Sequence, residues 1–499
     1  MFSKILVANR GEIAVRIMRT AREMGIETVA VYSTVDRQSL HVLNADQSVC
    51  LGEADPASSY LNIDKIIEAA LKTGAEAIHP GYGFLAENAR FAESVSDAGL
   101  AFIGPPAGCM EKLGNKTTAR YLVAQSGIPV IPGMIAGESN PERLAAVAEE
   151  LGYPVLVKAA EGGGGKGMRI VENCDSLREA SQVASSEALS AFGDGTIYLE
   201  KLLDRPRHVE FQILADTYGN VVHLFERECS IQRRHQKIVE ETPSTAVTED
   251  LRNEMGAAAI RVAQAAGYVN AGTVEFLLDK SSRFYFLEVN TRLQVEHPIT
   301  EMLTGLDLVR RQIEIAAGLP LPFTQSDLTR RGHSIECRIY AEDPESGFMP
   351  APGRILYAGV PEGPGVRYDR GIYSGFDVPI QYDPILGKLV AFGENRERAI
   401  ARMIRALKEC VILGVTTTIE FLLDVLSSDA FKAGDTHTGF IDENFADWKS
   451  DRTIDKLAAL GFVADQVLKP VAQTNGAEDG RNRQPFNPWL RLGAWDLAK

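Results

Sequence analysis

The chain has 499 residues, 45% hydrophobic and 24% charged, a formal net charge of −15 and a pI of about 5.2. That length is too great for one core and implies about three domains, with the composition of an ordinary globular protein. The acidic balance excludes a general binder of nucleic acid or anionic membrane, and no apolar run approaches the roughly 18 residues of a membrane span.

The first residues run directly into a strand pattern and leave no room for a signal peptide. Six cysteines without a C-x-x-C pair fit reduced thiols in a cytoplasm and no structural zinc. Residues 4–8 read as a strand, 12–24 as a helix closed by Gly25 in a left-handed cap, and 27–33 as a second strand. With further strands at 75–79 and 100–103, the β-α-β alternation predicts a parallel sheet up to about residue 113. The first turn, Asn9-Arg-Gly-Glu12, lacks the G-x-G-x-x-G fingerprint, which disfavours a nicotinamide site. The loop 79–87 follows a strand end, where open α/β sheets place ligands, although a rigid turn would read the same.

From about residue 114 the pattern changes. A helix starts at Lys116 and ends at Gly127, and a second covers 141–151. Then come a strand at 154–158, the glycine loop 161–167, and a strand at 168–171. Lys166 precedes a glycine and a strand follows, so this is not the phosphate loop of G-x-x-x-x-G-K-[ST]. A glycine flap flanked by Lys158 and Lys166 can still close backbone N–H groups on phosphate oxygens, and a plain hairpin tip would look similar. Residues 198–203 read as the strand and hinge leaving that subdomain. Residues 208–213 alternate, with His208, Glu210 and Gln212 on one face and Val209, Phe211 and Ile213 on the other. The hexamer Gln232 to Lys237 reads as a solvated basic loop unless it meets an anionic ligand.

The densest polar cluster is Glu288-Val-Asn-Thr-Arg-Leu-Gln-Val-Glu-His-Pro298, entered from the apolar run at 284–287. With the strand 273–279 and the turn 280–283 before it, the pattern is an antiparallel hairpin. A four-residue loop pairs Asp279 with Phe284, Leu277 with Phe286 and Glu275 with Glu288. Opposed carboxylates repel, so a cation belongs between them, and oxygens from Glu275, Glu288 and Asn290 suit Mg²⁺ or Mn²⁺ beside phosphate. After about 330 a third unit starts. Ile335, Cys337, Ile339 and Ala341 form its buried face, with Glu336, Arg338 and Tyr340 on the other. Residues 396–410 form an amphipathic helix, and the chain past Trp448 turns polar, as a linker or tail does.

Together the segments 5–14, 79–88, 161–168, 232–237 and 288–298 resemble the biotin carboxylase family of ATP-grasp enzymes, over about residues 2–447. The resemblance implies a mixed α/β and α+β chain. Its parts would be an N-terminal parallel-sheet (pre-ATP-grasp) domain at 1–113, an ATP-grasp domain at 114–330 with a mobile lid at about 131–203, a β-rich C-terminal domain at 331–447, and a tail or linker at 448–499. It implies homodimers, a cytoplasmic location, ATP with two Mg²⁺ or Mn²⁺ ions, and biotin as a carrier-borne substrate. ATP would phosphorylate bicarbonate, and biotin N1 would capture the CO2 released from carboxyphosphate.

By the same resemblance Lys116, Lys158 and the flap (Gly163, Gly164, Gly165, Lys166) would bind the nucleotide phosphates. Glu200, Lys201, Leu203 and Leu277 would face adenine, with His208, Gln232 and His235 nearby. Glu275 and Glu288, with Asn290, would hold the metals. Lys237, Arg292, Gln294 and the Val295 backbone would position bicarbonate, with Glu296 as its general base. Arg338 would stabilise the biotin enolate close to Tyr82 and Gly83. Such roles suit these groups, since a carboxylate can take a proton as bicarbonate attacks and a guanidinium is a permanent cation. The partners implied are a biotin carboxyl carrier protein and carboxyltransferase subunits. Lys166 stands where many members carry Arg, and no Met-Lys dipeptide occurs, so the chain should not carry its own biotin. Two other readings, an ATP-grasp ligase joining a carboxylate to an amine and a non-catalytic nucleotide-binding regulator, have no use for Lys237, Glu296 and Arg338 together.

Overall fold

The computed structural model describes residues 1–134, 136–138, 140–160, 168–234, 236–451 and 460–461. The glycine loop 161–167, His235 and nearly all of the tail therefore lie outside the described residues.

The N-terminal strands β1 (Lys4–Val7), β2 (Glu27–Ser33), β3 (Gln47–Gly52), β4 (Ala77–His79) and β5 (Ala101–Phe102) form a parallel sheet in the order β3-β2-β1-β4-β5. The helix Gly11–Glu23 turns Ile13, Ile17, Met18 and Ala21 into the core, and Gly25 follows it at φ +72°, as a left-handed cap requires. A second, three-stranded antiparallel sheet is made of β6 (Val155–Ala159), β7 (Arg169–Val171) and β8 (Ile197–Lys201), ordered β7-β6-β8. The helices Pro141–Leu151 and Cys174–Phe192 share an apolar cluster with it, built on Leu144, Val155, Val157, Leu177 and Leu199.

The rest is organised on one antiparallel sheet of eight strands. Its members are β9 (Arg207–Ala215), β10 (Val221–Arg233), β11 (Gln236–Thr242), β12 (Asn270–Leu278), β13 (Phe284–Asn290), β14 (His333–Tyr340), Ile385–Gly393 and Val366–Arg370. The order is β13-β12-β9-β10-β11-β14, then Ile385–Gly393, then Val366–Arg370. The sheet therefore runs without a break across the boundary expected at 330/331. On one face Val209, Phe211 and Ile213 pack under the helix Glu249–Ala266, as the alternation of β9 requires. Phe211 and Phe276 meet edge to face at 6.2 Å, a geometry worth about 0.5–1.5 kcal/mol beyond the area buried.

Three details depart from the sequence reading. The hairpin β12–β13 does oppose Glu275 and Glu288, but Leu277 faces Tyr285, and Phe276 faces Phe286. The turn is one residue shorter than expected, since Asp279 N–H already bonds the Arg283 carbonyl, and a bulge at Leu287 restores the register. Second, the basic hexamer is no loop: Gln232 pairs with Lys237 and Arg233 with Gln236 in a tight hairpin, with Arg234 at φ +47°. Third, every residue of β14 is buried, so Glu336 and Arg338 face a polar interior rather than water.

Candidate active site

Strand β9 sends its second face, His208, Glu210 and Gln212, into the interior of the eight-stranded sheet. Buried charge is tolerable only when paired and hydrogen-bonded, and each group here is. Arg227, with no solvent exposure, donates to Glu210 Oε1 at 2.6 Å, Gln212 Oε1 at 2.8 Å, and the Thr300 and Thr273 hydroxyls at 3.0 Å. Lys237 Nζ, delivered by the β10–β11 hairpin, meets three carboxylates: Glu210 at 2.6 Å, Glu296 at 2.7 Å and Glu275 at 2.9 Å. Burial alone would depress the ammonium, but the three anions hold it well above its usual range.

Glu275 Oε1 also accepts from Asn290 Nδ2 and Gln294 Nε2, each at 2.8 Å, and its Oε2 lies 2.8 Å from His208 Nε2. Burial pushes this carboxyl up; Lys237 and His208 outweigh it and keep the group ionised far below the ordinary range. Its register partner Glu288 is partly exposed, with Lys116 Nζ at 3.9 Å. The two opposed carboxylates are hard oxygen donors that suit Mg²⁺ or Mn²⁺, while Asn290 turns its amide nitrogen to Glu275 and its oxygen to Arg292. Gln232 lies next to His208, with Nε2 3.5 Å from Nδ1.

Glu296 occupies the N-cap of the helix His297–Thr304, yet its side chain caps nothing. One oxygen takes Lys237; the other accepts from Arg338 Nη2 at 3.0 Å. Burial opposes ionisation, but Lys237, Arg338 and Arg227 more than offset it, and Glu296 stays a carboxylate well below the usual range. Arg338 also donates to Glu240 Oε1 at 2.6 Å. The sheet thus brings the hairpin, the 288–298 stretch and β14 into one cluster.

The N-terminal sheet supplies the opposite wall through the 79–88 loop. Glu87 accepts from Thr291 N–H at 3.0 Å and from Arg292 Nε at 2.9 Å, while Arg292 Nη2 bonds Asn290 Oδ1 at 3.0 Å. The Tyr82 hydroxyl donates to Glu12, and exposed Gly83 has φ +68°. Lys388 Nζ lies 3.2 Å from Glu12, bonds the Val295 carbonyl at 2.8 Å and lies 5.7 Å from the centre of the Tyr82 ring.

Toward the smaller antiparallel sheet, Glu200 is held by Arg120 at 2.5 Å and Lys158 at 3.1 Å, and Lys201 bonds the Gly152 and Tyr153 carbonyls. Burial would lower Lys158, but Glu200 leads a set of partners that raises it. Leu203 and Leu277 are both half-buried apolar side chains. Gly163, Gly164, Gly165, Lys166 and His235 lie outside the described residues. Sequence reasoning missed Arg227, Glu240, Lys388, Glu87 and Arg120. The runs of consecutive charged residues inside otherwise apolar strands, Glu226-Arg227-Glu228 in β10 and Glu240-Glu241 in β11, are the available signal for the first two. Glu87 ends the loop 79–87, already marked by its place at a strand end. Nothing local marks Lys388 and Arg120, whose charged partners are distant in the chain.

A carboxylate-bearing hairpin, buried lysines and a separate small sheet on the same chain define a metal-dependent, nucleotide-using ligase of the ATP-grasp class. The family model described as "Carbamoyl-phosphate synthase L chain, ATP binding domain" matches residues 115–324. Those of the biotin carboxylase N-terminal and C-terminal domains match 1–110 and 336–443, and the chain belongs to the biotin carboxylase family. It is 54% identical over 443 residues to a pyruvate carboxylase subunit from Methanothermobacter thermautotrophicus, covering 89% of this chain and 90% of that one. It is 53% identical over 442 residues to the biotin carboxylase of a Nostoc species, covering 89% and 99%. A biotin carboxylase–βγ-ATP complex from Campylobacter jejuni superposes with a TM-score of 0.87 at 46% identity, covering 89% of this chain and 99% of that one. The biotin carboxylase domain dimer of Hydrogenobacter thermophilus 2-oxoglutarate carboxylase, with MgADP, ADP and bicarbonate, gives 0.88 at 44%, covering 90% and 99%. Among the described residues, no helix is long and apolar enough to cross a membrane.

Proposed function

We propose that the chain uses ATP and bicarbonate to carboxylate biotin on a separate carrier protein, the first half-reaction of a multisubunit carboxylase. One observation carries the assignment of roles: Glu296 is clamped between Lys237 at 2.7 Å and Arg338 at 3.0 Å. A base, an anion-binding ammonium and a fixed cation thus share one buried point.

Lys237, Arg292, Gln294 and the Val295 backbone position bicarbonate beside Glu296. At neutral pH Glu296 is already ionised, as a base must be, but its two cations damp its basicity. Bicarbonate that draws Lys237 toward itself loosens that clamp and raises the basicity as the proton leaves. Glu275, Glu288 and Asn290 would hold the divalent metal, which neutralises charge on the transferring phosphoryl group. Lys116 and Lys158 hold the nucleotide phosphates, with Glu200, Lys201, Leu203, Leu277, His208 and Gln232 around the base. Carboxyphosphate breaks down to CO2 and phosphate; the phosphate takes the proton from biotin N1, and the nitrogen so freed forms its bond to the CO2. Arg338 faces the enolate of the biotin ring, with Tyr82 and Gly83 lining that side.

The same reading makes the chain a dimer in the cytoplasm that works with a biotin carboxyl carrier protein and a carboxyltransferase, which sets the final acceptor. Bicarbonate-dependent ADP release, followed with and without free biotin, tests it. ADP release independent of bicarbonate would overturn it in favour of another ligase chemistry.

A further inference from the structure

Strands β11 and β14 place Glu240 directly opposite Glu336, two acids on one face of an antiparallel pair. Neither has any solvent exposure. Glu240 Oε1 takes the 2.6 Å bond from Arg338 Nε. Its Oε2 and both oxygens of Glu336 accept no hydrogen bond from any described group. Among the described residues, the cation positioned to serve Glu336 from the other side is Lys388, on Ile385–Gly393, where it pairs in register with Arg338. Lys388 is committed elsewhere, to Glu12 and the Val295 carbonyl. A bare carboxylate pair in such a place is prohibitive, because like charges face each other with no solvent exposure and no cation bonded to one of them. A single proton on the pair removes the repulsion and supplies a donor for the stranded oxygens.

We propose that Glu240 and Glu336 hold one proton between them, with Glu240 as the charged anchor of Arg338 and Glu336 as the acid, and that the pair positions the guanidinium while leaving its charge available to biotin. The inference deepens the proposed carboxylation and rests on it. Charge accounting at the site gives the reason. Arg338 already faces two carboxylates, Glu240 and Glu296. A third anion two residues away on the same face would oppose an enolate forming at that guanidinium. The groups facing the pair are Lys388, Arg338, Glu296 and Lys237, with the Cys337 thiol pushed well up by burial. Burial holds Glu336 far above the carboxylate range against Lys388, and moves Glu240 up to about 7 against Arg338. An acid with a raised pKa is present at neutral pH and is lost as pH rises, so its ionisation sets an alkaline limit on the step that uses Arg338.

Infrared difference spectroscopy on the full chain decides this without reference to activity. The wild-type protein at neutral pH should show the carbonyl stretch of a protonated buried carboxyl, and Glu336→Gln should remove it. In the same variant the alkaline fall of carboxybiotin formation should move to higher pH, because no acid remains there to ionise. Glu240→Gln weakens a charge-assisted bond and should lower carboxybiotin formation roughly ten- to a hundredfold while bicarbonate-dependent ATP hydrolysis persists. Should Glu336→Gln not fold, the loss or shift of the same band in Glu240→Gln stands in for it. A spectrum in which both carboxyls are ionised at neutral pH, or a Glu336→Gln chain with the wild-type band and pH profile, overturns the proposal. Because the band is read without turnover, its presence in a chain that fails to carboxylate biotin would indict the reaction, not the shared proton.

Discussion

Lys237→Met keeps most of the side-chain volume and deletes one charge, so its effect isolates the ammonium at the centre of the carboxylate cluster. In the wild-type chain that ammonium lies 2.6–2.9 Å from Glu210, Glu275 and Glu296, all three buried. Removing one partner of a buried ion pair costs about 3–5 kcal/mol. The total stays near that of one pair instead of tripling, because Glu210 keeps Arg227, Glu275 keeps His208 and Glu296 keeps Arg338. The sign with pH follows from Glu296, whose carboxyl Lys237 helps to hold far below its ordinary range. In the wild type its contribution is complete above the ordinary carboxylate range and disappears only as pH falls far below it. Without Lys237 burial is offset only by Arg338 and Arg227, the folded-state carboxyl rises, and less of that contribution exists at pH 7 to be lost. Urea unfolding at pH 7 and at pH 5 should therefore show a stability deficit in Lys237→Met that is larger at pH 7 and smaller at pH 5, where proton uptake relieves the uncompensated carboxylates. Bicarbonate-dependent ATP hydrolysis should fall and gain an acid limb at higher pH. A variant within 1 kcal/mol of wild type at both pH values, with the wild-type pH profile, would refute the reasoning.

Three more outcomes are expected. Glu288→Gln should weaken the Mg²⁺ dependence and cut turnover, while an unchanged Mg²⁺ titration would remove Glu288 from the metal set. Arg338→Ala should reduce carboxybiotin formation by about 10²–10³. Since Arg338 touches Glu296 at 3.0 Å, ATP hydrolysis should fall too but by clearly less, and a parallel fall in both would assign Arg338 to bicarbonate. Mass spectrometry of the chain co-expressed with a biotin ligase should show no biotin adduct, and a biotinylated lysine would end the carrier-in-trans scheme.

The parts of the site legible in the sequence are those written within one or two adjacent elements. Glu275 and Glu288 can be set opposite each other because a hairpin is local, and the pairing holds although the turn is shorter than expected and the bulge is unannounced. The two differences cancel at Glu288 and nowhere nearer the turn. His208, Glu210 and Gln212 share a face because period-two alternation is a property of the strand itself. The hexamer Gln232 to Lys237 is unreadable for the opposite reason: three carboxylates from three other segments bury Lys237, and a turn without Gly or Asn gives no warning. Sequence alone sets Arg338 on a domain apart, whereas its closest charged partners, Glu240 and Glu296, come from before residue 330. Glu87 and Lys388 escape because their partners lie about 204 and 93 residues away in the chain.

The ladder between β11 and β14 also constrains how such a chain can be cut or recombined. Val239, Glu240, Glu241 and Thr242 pair with Cys337, Glu336, Ile335 and Ser334 across the boundary expected at 330/331. A break at residue 330 would leave two fragments, each ending in a bare strand edge, the kind of surface on which chains aggregate. Each fragment would also inherit half of the Glu240–Arg338 and Glu296–Arg338 pairings, a buried charge without its counterpart. Hybrids that graft the segment after 330 from one relative onto the front of another must therefore match both sides of the seam, side chain by side chain. Exchange at Lys449 cuts no strand of this sheet.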